Sequence, residues 1–263
     1  MDLKDICEKV TDIARETGRF IRSERLSFSA DKIETKGVHN YVSYVDKQAE
    51  QMLVGRLSKI VPGAGFIAEE GSGSRNENGL NWIVDPLDGT TNFIHGLPPH
   101  SVSIALADGN RVLLGVVYEV NLDECFYSWE GSLSFLNGNE IRVSNTPRVK
   151  DSLIATGFPY TAFDRMSSFL VSFEYFMKNS HGLRRLGSAA VDLAYVACGR
   201  FDAFYEFGLS PWDVAAGSFI VQQAGGRLSD FSGGGNYLFG RELIAANSKV
   251  FEEFGQAVGR FMT

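Results

Sequence analysis

The chain has 263 residues, of which 44% are apolar and 22% charged, and its formal net charge is −7. This composition is typical of a globular protein with one large domain or two small ones. The negative balance disfavours a broad nucleic-acid surface, which needs a basic stripe, and no apolar run approaches the roughly 20 residues of a membrane span.

The first half is predicted to be two helices followed by a mostly antiparallel sheet. Apolar residues at helical spacing predict an amphipathic helix over 3–20 and a second over 49–60. The stretch between them, 34–46, is typical of a loop or short hairpin. Short strands are predicted over 66–68, 82–84, 125–129 and 141–143, and period-2 alternation predicts a hairpin of strands 101–107 and 112–118.

From about Ser152 the pattern changes to alternating strands and helices. Strands are predicted over 153–156, 201–205 and 243–246, and helices near 164–178, 189–198, 212–224 and 248–262. Such alternation indicates a layered α/β half, so the fold class is a mixture of α+β and α/β. No polar linker separates 1–150 from 151–263, and we expect the two halves to pack as one compact unit with a cleft between them.

The beginning of the chain and its cysteines bear on the compartment. The first ten residues, MDLKDICEKV, contain early acids and no continuous apolar core, so no secretory signal is expected. Cys7, Cys125 and Cys198 lie far apart, which predicts reduced thiols rather than disulfides or a zinc site. A cytoplasmic location is the expectation.

The stretch WIVDPLDGTTNF, residues 82–93, carries the clearest chemical signal. Pro86 restricts Asp85 to an extended backbone, and a tight Pro-Leu-Asp-Gly turn would bring Asp88 to the same side. Two carboxylates aimed at one point repel each other unless a cation lies between them, and oxygen ligands favour Mg²⁺ over zinc. A purely structural alternative is that Asp-Pro and Asp-Gly form a turn and that Asp88 or Thr90 caps a helix.

The residues that follow, Gly89-Thr90-Thr91, offer successive backbone N–H groups where a helix begins. Such a turn binds anions, and phosphate in particular. A cation site joined to an anion site indicates phosphoryl chemistry, although the Walker glycine-lysine motif is absent.

More carboxylates are candidates for the same centre. A second apolar strand ends in Glu69-Glu70, and Ser210-Pro211-Trp212-Asp213 contains a third acid. Asp213 and Asp46 each lie three residues after a serine, so each has the alternative of a helix capping box. Capping does not exclude metal binding, since Asp213 would lie at a helix N-terminus facing the cleft.

Together these segments resemble the inositol monophosphatase family of lithium-sensitive, metal-dependent sugar phosphatases. WIVDPLDGTTNF resembles its first signature, and PWDVAAGSFIVQQAGG, residues 211–226, its second. Further blocks match in order: NYVSYVD at 40–46, AEEG at 68–71 and GSAAVDLAYVACGRFDAFYE at 187–206. The resemblance covers nearly the whole chain and implies a layered αβαβα sandwich of the sugar-phosphatase type.

The resemblance also implies roles for individual residues. A first Mg²⁺ would be held by Glu69, Asp85 and the Leu87 carbonyl. A second would be held by Asp85, Asp88 and Asp213, and a weaker third by Glu69 with water. Asp46 and Thr90 would orient and deprotonate the attacking water, with Glu69 also counted as catalytic. The amides of Gly89 and Thr90 would bind phosphate, and substrate hydroxyls would meet Glu206, the Ala189 backbone, Asp88 and Asp213. Lys36 stands near the family's mobile lysine at a spacing one residue shorter, and Asn40 stands where many members have Asp.

The implied reaction is hydrolysis of inositol 1-phosphate to myo-inositol and phosphate, with Li⁺ as an inhibitor and a homodimer as the assembly. Phosphatidylinositol phosphate, fructose 1,6-bisphosphate, NADP and adenosine bisphosphate are alternative substrates within the wider superfamily. A protein- or RNA-binding regulatory role is a different class of function, for which Arg184-Arg185 is the one local basic pair. A structural calcium-binding module is a third possibility.

Overall fold

A computed structural model describes residues 1–28, 33–37, 40–158 and 163–262. Lys36 lies in a described strand, and its side chain falls outside what the structure describes. The helices are α1 (Leu3–Leu26), α2 (Tyr44–Ile60), α3 (Thr90–His95), α4 (Met166–Asn179), α5 (Ala189–Ala197), α6 (Pro211–Gln223) and α7 (Phe251–Met262). In the part of the chain so described, none of them is long and apolar enough to cross a membrane.

The strands form three sheets. A hairpin consists of β1 (Ile33–Gly37) and β2 (Asn40–Ser43). The large sheet has seven strands in sequence order: β3 (Gly65–Ala68), β4 (Leu80–Asp88), β5 (Ser101–Asp108), β6 (Arg111–Glu119), β7 (Glu124–Trp129), β8 (Ser134–Leu136) and β9 (Asn139–Ile141). Only its first pair, β3 with β4, is parallel, and the other neighbours are antiparallel.

The second large sheet is built from the C-terminal part of the chain. Its strands are β10 (Leu153–Thr156), β11 (Gly182–Arg184), β12 (Ala203–Phe207), β13 (Gly226–Ser229) and β14 (Glu242–Asn247), in the order β11-β10-β12-β14-β13. The strand β10 pairs in parallel with both neighbours, whereas β14 pairs antiparallel with β12 and β13. Both large sheets are therefore mixed.

Three hydrophobic clusters arrange these elements in five layers. The first packs α1 and α2 on the outer face of the seven-stranded sheet, around Trp82 and Leu53. The second holds α5 and α6 between the two sheets, around Leu193 and Phe204. The third packs α4 and α7 on the far face of the five-stranded sheet, around Phe176 and Phe254. The αβαβα sandwich and the mixed fold class are confirmed, and the domain boundary near residue 150 stays a prediction.

Most predicted elements form close to their predicted positions, and the differences have local causes. The second helix begins at Tyr44 rather than 49, because Ser43 and Asp46 make a capping box that extends it by more than a turn. The strand β12 begins at Ala203 rather than 201. The Asp202 side chain instead forms a hydrogen bond to another segment, because its carboxylate accepts the Leu153 N–H at 2.7 Å. The hairpin predicted over 101–118 is present as β5 and β6.

The stretch from Asp85 to Asp88 differs from the predicted tight turn. The strand β4 continues to Asp88, where Asp85 lies opposite Ser103 and Asp88 opposite Ser101, so three steps along β4 match two along β5. Residues three apart in a regular strand point to opposite faces, and one extra residue in a bulge restores the same face. The prediction of a turn is wrong, but a bulge achieves the convergence of the two carboxylates for which the turn was invoked.

Candidate active site

The first component of the site is the N-terminus of α2, which presents Asp46. Its carboxylate caps the helix by accepting the Ser43 N–H at 2.8 Å and the Ser43 hydroxyl at 2.6 Å. Its second oxygen, Oδ1, accepts the Thr90 hydroxyl at 2.9 Å. Asp46 is only 1% exposed, and burial raises the pKa of this carboxyl. Capping and contact with the predicted catalytic threonine therefore coexist.

The second component is the turn after β3, which carries Glu69. The Glu69 N–H donates to the Val84 carbonyl at 3.2 Å, which ties the turn to β4. The next N–H groups, of Glu70 and Ser72, donate to the buried Glu50 carboxylate on α2 at 2.7 and 2.8 Å. Glu69 is thus presented by a backbone that is fixed on both sides.

The third component is the bulged end of β4. Asp85 is 2% exposed, its Oδ1 accepts the Leu87 N–H at 2.9 Å, and burial with the charge of the nearby Glu69 raises the pKa of its carboxyl. The Leu87 carbonyl accepts the Thr90 hydroxyl at 3.0 Å, so that carbonyl faces the same region. The bulge therefore places Asp85 and the Leu87 carbonyl in the region of Glu69, and their joint role as metal ligands stays a prediction.

Asp88 connects this centre to the middle helical layer. Its Oδ2 accepts the Ser188 hydroxyl at 2.7 Å and the Ala190 N–H at 2.8 Å. An anion at the N-terminus of α5 is stabilised by the free N–H groups and the helix dipole. Ala189 is therefore at the site, beside the Ala190 N–H that binds Asp88, and its contact with a substrate hydroxyl stays a prediction.

The C-terminal half contributes two further acids. Asp213 lies in the first turn of α6, where its Oδ2 accepts the Ser210 N–H at 2.6 Å, which is the predicted capping contact. Glu206 lies in β12, half-buried, beside Gly157. A methyl group at Gly157 would collide with the Glu206 carboxylate, so only glycine leaves room for that side chain.

Electrostatic coupling shows that these acids form one group. Burial and mutual repulsion raise the pKa of Glu69, Asp85 and Asp213 above their ordinary values, with Asp85 repelled by Glu69, Asp88 and Asp213. Burial and the charge of Asp88 raise the pKa of Glu206 to about 8. Repulsion of this kind is what a bound cation would relieve.

The donor set is consistent with a hard metal ion. The groups gathered at the bulge are carboxylates and one backbone carbonyl, the oxygen ligands that Mg²⁺ prefers. Among the described residues, no three Asp, Glu, His or Cys side chains already stand in metal-binding geometry. The chemistry of the residues fits a divalent cation, and the ligand set stays a prediction.

The turn that is predicted to bind an anion lies next to the acids. Gly89 is the N-terminal cap of α3 with φ +94°, and its added methyl would lie 3.0 Å from the Pro99 carbonyl and 3.2 Å from the Gly187 carbonyl. The Gly89 carbonyl accepts the Phe93 N–H at 3.0 Å. This residue must be glycine for both its backbone angle and its close neighbours. The predicted helix start at 89–91 is confirmed.

Four residues around the site were not predicted from the sequence. Ser188 binds Asp88, and Glu50 binds the turn after Glu69. Asp192 is 1% exposed in α5 with an unpartnered Oδ1, and burial with repulsion from Glu206 and Asp88 raises its pKa well above the ordinary value. The Arg185 charge lowers the pKa of Asp88, Asp192 and Glu206 in opposition to burial. Asp192 had a sequence signal, since it is the one acid in an otherwise apolar helix.

Comparison of the sequence with known proteins gives matches over nearly the whole chain. The model of the Inositol monophosphatase family matches residues 2–260. An inositol-1-monophosphatase of Mesorhizobium japonicum is 42% identical over 228 residues, which are 86% of each chain. The Nus factor SuhB of Pseudomonas aeruginosa is 41% identical over 244 residues, covering 91% of this chain and 90% of the relative.

Solved structures agree with the sequence comparison. The extragenic suppressor protein suhB of Bartonella henselae has a TM-score of 0.90 at 37% identity, with 97% of this chain and 98% of that chain covered. An IMPase of Thermotoga maritima has a TM-score of 0.88 at 34% identity, covering 99% and 98%. The matched proteins therefore carry both enzyme names and the names Nus factor SuhB and extragenic suppressor protein suhB.

Proposed function

Since the chain belongs to the inositol monophosphatase family, we propose that it is a Mg²⁺-dependent phosphomonoesterase that releases myo-inositol and phosphate from inositol 1-phosphate. The observation that carries this proposal is the convergence of mutually repelling carboxylates beside the glycine that begins α3. These features support a site where the carboxylates would bind the metal ions and the helix start would bind the phosphate of a metal–phosphate pair.

The metal ligands in this proposal are Glu69, Asp85, Leu87, Asp88 and Asp213, for two to three Mg²⁺ ions. Bound metal ions would supply polarisation of the phosphoryl oxygens, activation of water and stabilisation of the departing alkoxide. Without them, the acids raise one another's pKa values, as described for Asp85 and Asp213. Li⁺ inhibition belongs to the same proposal.

The protein's own groups orient the attacking water. The Thr90 hydroxyl lies between the Asp46 carboxylate and the Leu87 carbonyl, at 2.9 and 3.0 Å. The hydroxyl has one proton, which it can donate to only one of these acceptors at a time. When that proton is donated to Asp46, the oxygen lone pairs can accept a hydrogen bond from water. Asp46, whose pKa is raised by burial, is the acceptor for a proton passed through Thr90. This pair is the proposed base.

The same turn would hold the phosphate. The amides of Gly89 and Thr90 lie at the beginning of α3, where N–H groups have no partner within the helix. The carbonyls of Pro99 and Gly187 leave no room for a side chain at Gly89, so the backbone of this turn stays accessible. The phosphate is bound by a rigid backbone and so needs no lysine or arginine at this point.

The departing polyol would be recognised from the C-terminal half. Glu206 is a half-buried acceptor, Asp88 lies between the two halves, and the Ala189 backbone lies beside it. Carboxylates accept several hydroxyl hydrogen bonds, which suits a ring with adjacent hydroxyl groups. None of these contacts involves a substituent on the side of the ring opposite the phosphate. A lipid-linked inositol phosphate and the other superfamily esters are therefore the substrates to compare with inositol 1-phosphate.

The test is phosphate release from inositol 1-phosphate, phosphatidylinositol phosphate, fructose 1,6-bisphosphate, NADP and adenosine 3′,5′-bisphosphate, each with Mg²⁺ and with added Li⁺. We expect the highest kcat/KM for inositol 1-phosphate. A control with chelator in place of Mg²⁺ should release none. Failure to hydrolyse any polyol phosphate would overturn the substrate assignment, and activity without a divalent ion would overturn the cofactor assignment.

A cytoplasmic location and a homodimer are part of this proposal. The location is supported by the three cysteines, since Cys7, Cys125 and Cys198 are all free, as is usual in a reducing compartment. Sedimentation equilibrium measures the assembly directly, and a single species of 28.9 kDa would contradict the dimer.

A binding role is the second candidate, because several relatives at 39–41% identity are named Nus factor SuhB. The net charge of −7 disfavours RNA binding, and so does the partial burial of Arg185 beside the acids of the site. Arg184 is exposed. Filter binding to RNA at low and moderate salt separates the two: salt-sensitive retention that Arg184→Ala abolishes would support RNA binding, and none would exclude it.

A further inference from the structure

Glu50 is a buried carboxylate outside the predicted site. It lies in α2, is 0% exposed, and uses both oxygens to bind backbone N–H groups: Oε2 accepts from Glu70 at 2.7 Å and Oε1 from Ser72 at 2.8 Å. Buried carboxylates are costly unless each oxygen is hydrogen-bonded. The contact spans 20 and 22 residues of sequence, so it joins two separate elements.

The turn that Glu50 binds is the one that presents Glu69. The Glu69 N–H is held by the Val84 carbonyl, and the Glu70 N–H, in the peptide group directly after Glu69, is held by Glu50. The Gly71 N–H closes the turn on the Ala68 carbonyl at 3.2 Å with φ +84°. The direction of the Glu69 side chain is therefore set by one bond from β4 and one from α2.

The same helix carries the proposed base. Asp46 and Glu50 are four residues apart in α2, so they lie on one face, one turn after the other. Asp46 contacts Thr90, and Glu50 contacts the turn that carries Glu69. The helical turn between Asp46 and Glu50 consequently sets the distance between the Asp46–Thr90 pair and the turn that carries Glu69.

We propose that Glu50 is a positioning residue for the metal site, which orients Glu69 by clamping the backbone that follows it. This inference rests on the proposed function. Glu50 itself touches neither metal nor substrate. Groups that orient metal ligands affect metal affinity by about 10- to 100-fold when they are changed.

The discriminating variant is Glu50→Gln, which has almost the same volume. Its amide nitrogen is a donor, so it cannot accept from one of the two N–H groups and leaves that group buried and unpaired. Glu50→Asp is the second variant, since it retains both acceptors on a side chain one methylene shorter. The matched control is Glu119→Gln, because Glu119 is also 0% exposed and accepts a backbone N–H, that of Leu122, away from the turn.

Two measurements separate positioning from general damage. The first is Mn²⁺ binding without substrate, followed by the electron paramagnetic resonance signal of the free ion. The second is the Mg²⁺ concentration for half-maximal phosphate release. We expect Glu50→Gln to weaken both by about 10-fold or more, with kcat largely recovered at saturating metal, and Glu119→Gln to change neither. Circular dichroism and the melting temperature verify that each variant is folded.

The outcomes are distinct. Unchanged Mn²⁺ affinity in folded Glu50→Gln overturns the positioning role, and so does an equal loss in Glu119→Gln. If Glu50→Gln does not fold, the same comparison is made with Glu50→Asp, where normal Mn²⁺ affinity overturns the role. A wild-type protein that binds Mn²⁺ but hydrolyses no phosphate ester refutes the proposed function, and the binding measurement still decides the role of Glu50.

Discussion

The Thr90 hydroxyl lies 2.9 Å from the Asp46 carboxylate, across 44 residues of sequence. The two residues lie at the start of different helices: Asp46 is in the first turn of α2, and Thr90 is the first residue of α3. The pair is therefore ordered before any ligand binds, which is the condition for efficient proton transfer.

Replacement of the Thr90 hydroxyl tests this pair. Thr90→Val keeps the shape of the side chain but removes the group that links water to Asp46, so we expect kcat to fall by at least about 100-fold. KM should change little, because the amides of 89 and 90 remain. The control is Thr91→Val, the same change one residue later on α3. Equal losses from the two variants would exclude a special role for the Thr90 hydroxyl.

Asp85→Asn is expected to separate activity from stability. Loss of a central carboxylate should lower phosphate release by at least about 100-fold. The same change removes repulsion between Asp85 and the acids Glu69, Asp88 and Asp213. The melting temperature without divalent ions should therefore rise, by about 2–4 °C for each kcal/mol of repulsion relieved.

Calorimetry with chelator, beside a phosphate-release assay, measures both effects of the Asp85 change. Near-normal activity of Asp85→Asn with Mg²⁺ would show that the metal ligands are wrongly assigned. A lower metal-free melting temperature would show that the Asp85 carboxylate stabilises the protein through its bond with the Leu87 N–H more than repulsion destabilises it.

Gly89→Ala tests the close packing around the phosphate-binding turn. The φ of +94° alone makes alanine strained, and its methyl would also meet the Pro99 carbonyl at 3.0 Å. Gly63 is the control, with φ +87° and nothing within 4 Å of an added methyl. We expect Gly63→Ala to cost about 1 kcal/mol and Gly89→Ala about 1–3 kcal/mol, with loss of activity in the second only. Urea unfolding of both variants measures the difference.

His100 is expected to weaken the fold in acid. It is 3% exposed, and burial lowers its pKa from 6.5 to about 4, with further lowering by the charges of Arg25 and Arg22. Below pH 6.5 the unfolded chain binds a proton at His100 that the folded protein does not bind until about pH 4. The contribution of His100 to the free energy of unfolding is therefore fully present above pH 6.5. It falls by about 3 kcal/mol as the pH decreases from 6.5 to about 4.

Comparison with His100→Gln isolates the contribution of that one histidine. The difference in unfolding free energy between wild type and variant should narrow or reverse as the pH falls from 7 to 4. His95→Gln is the control, since His95 is exposed at the end of α3. A difference that stays constant with pH would mean that His100 titrates alike in the folded and unfolded chain.

What could be predicted from the sequence depends on how far apart the interacting residues lie. The cation and anion groups of 85–90 are consecutive, so their chemistry is legible in one stretch, and amphipathic spacing identifies α1 and the helices of the second half. Strands β8 and β11 have three residues each, too few to show a period of two. These two strands form because they pair with a neighbouring strand, and the local sequence contains no signal of that pairing.

The residues missed in the site share this long-range character. Glu50 resembles any polar residue of a surface helix until the turn at 70–72 is packed against it. The expected turn at Asp85–Asp88 is a bulge for the same reason, because only pairing with Ser101 and Ser103 of β5 reveals the extra residue. The family resemblance supplied roles for Asp46 and Glu206 that spacing alone left open.

The contact between Asp88 and the start of α5 has a consequence for folding. The Asp88 carboxylate binds groups 100 and 102 residues further along the chain, and those groups belong to the middle layer that both large sheets cover. The centre is therefore assembled only after the slow, long-range docking of the late helices onto the early sheet. During refolding, phosphatase activity should return with the last kinetic phase, after the helical signal has recovered, which makes turnover a reporter of completed assembly.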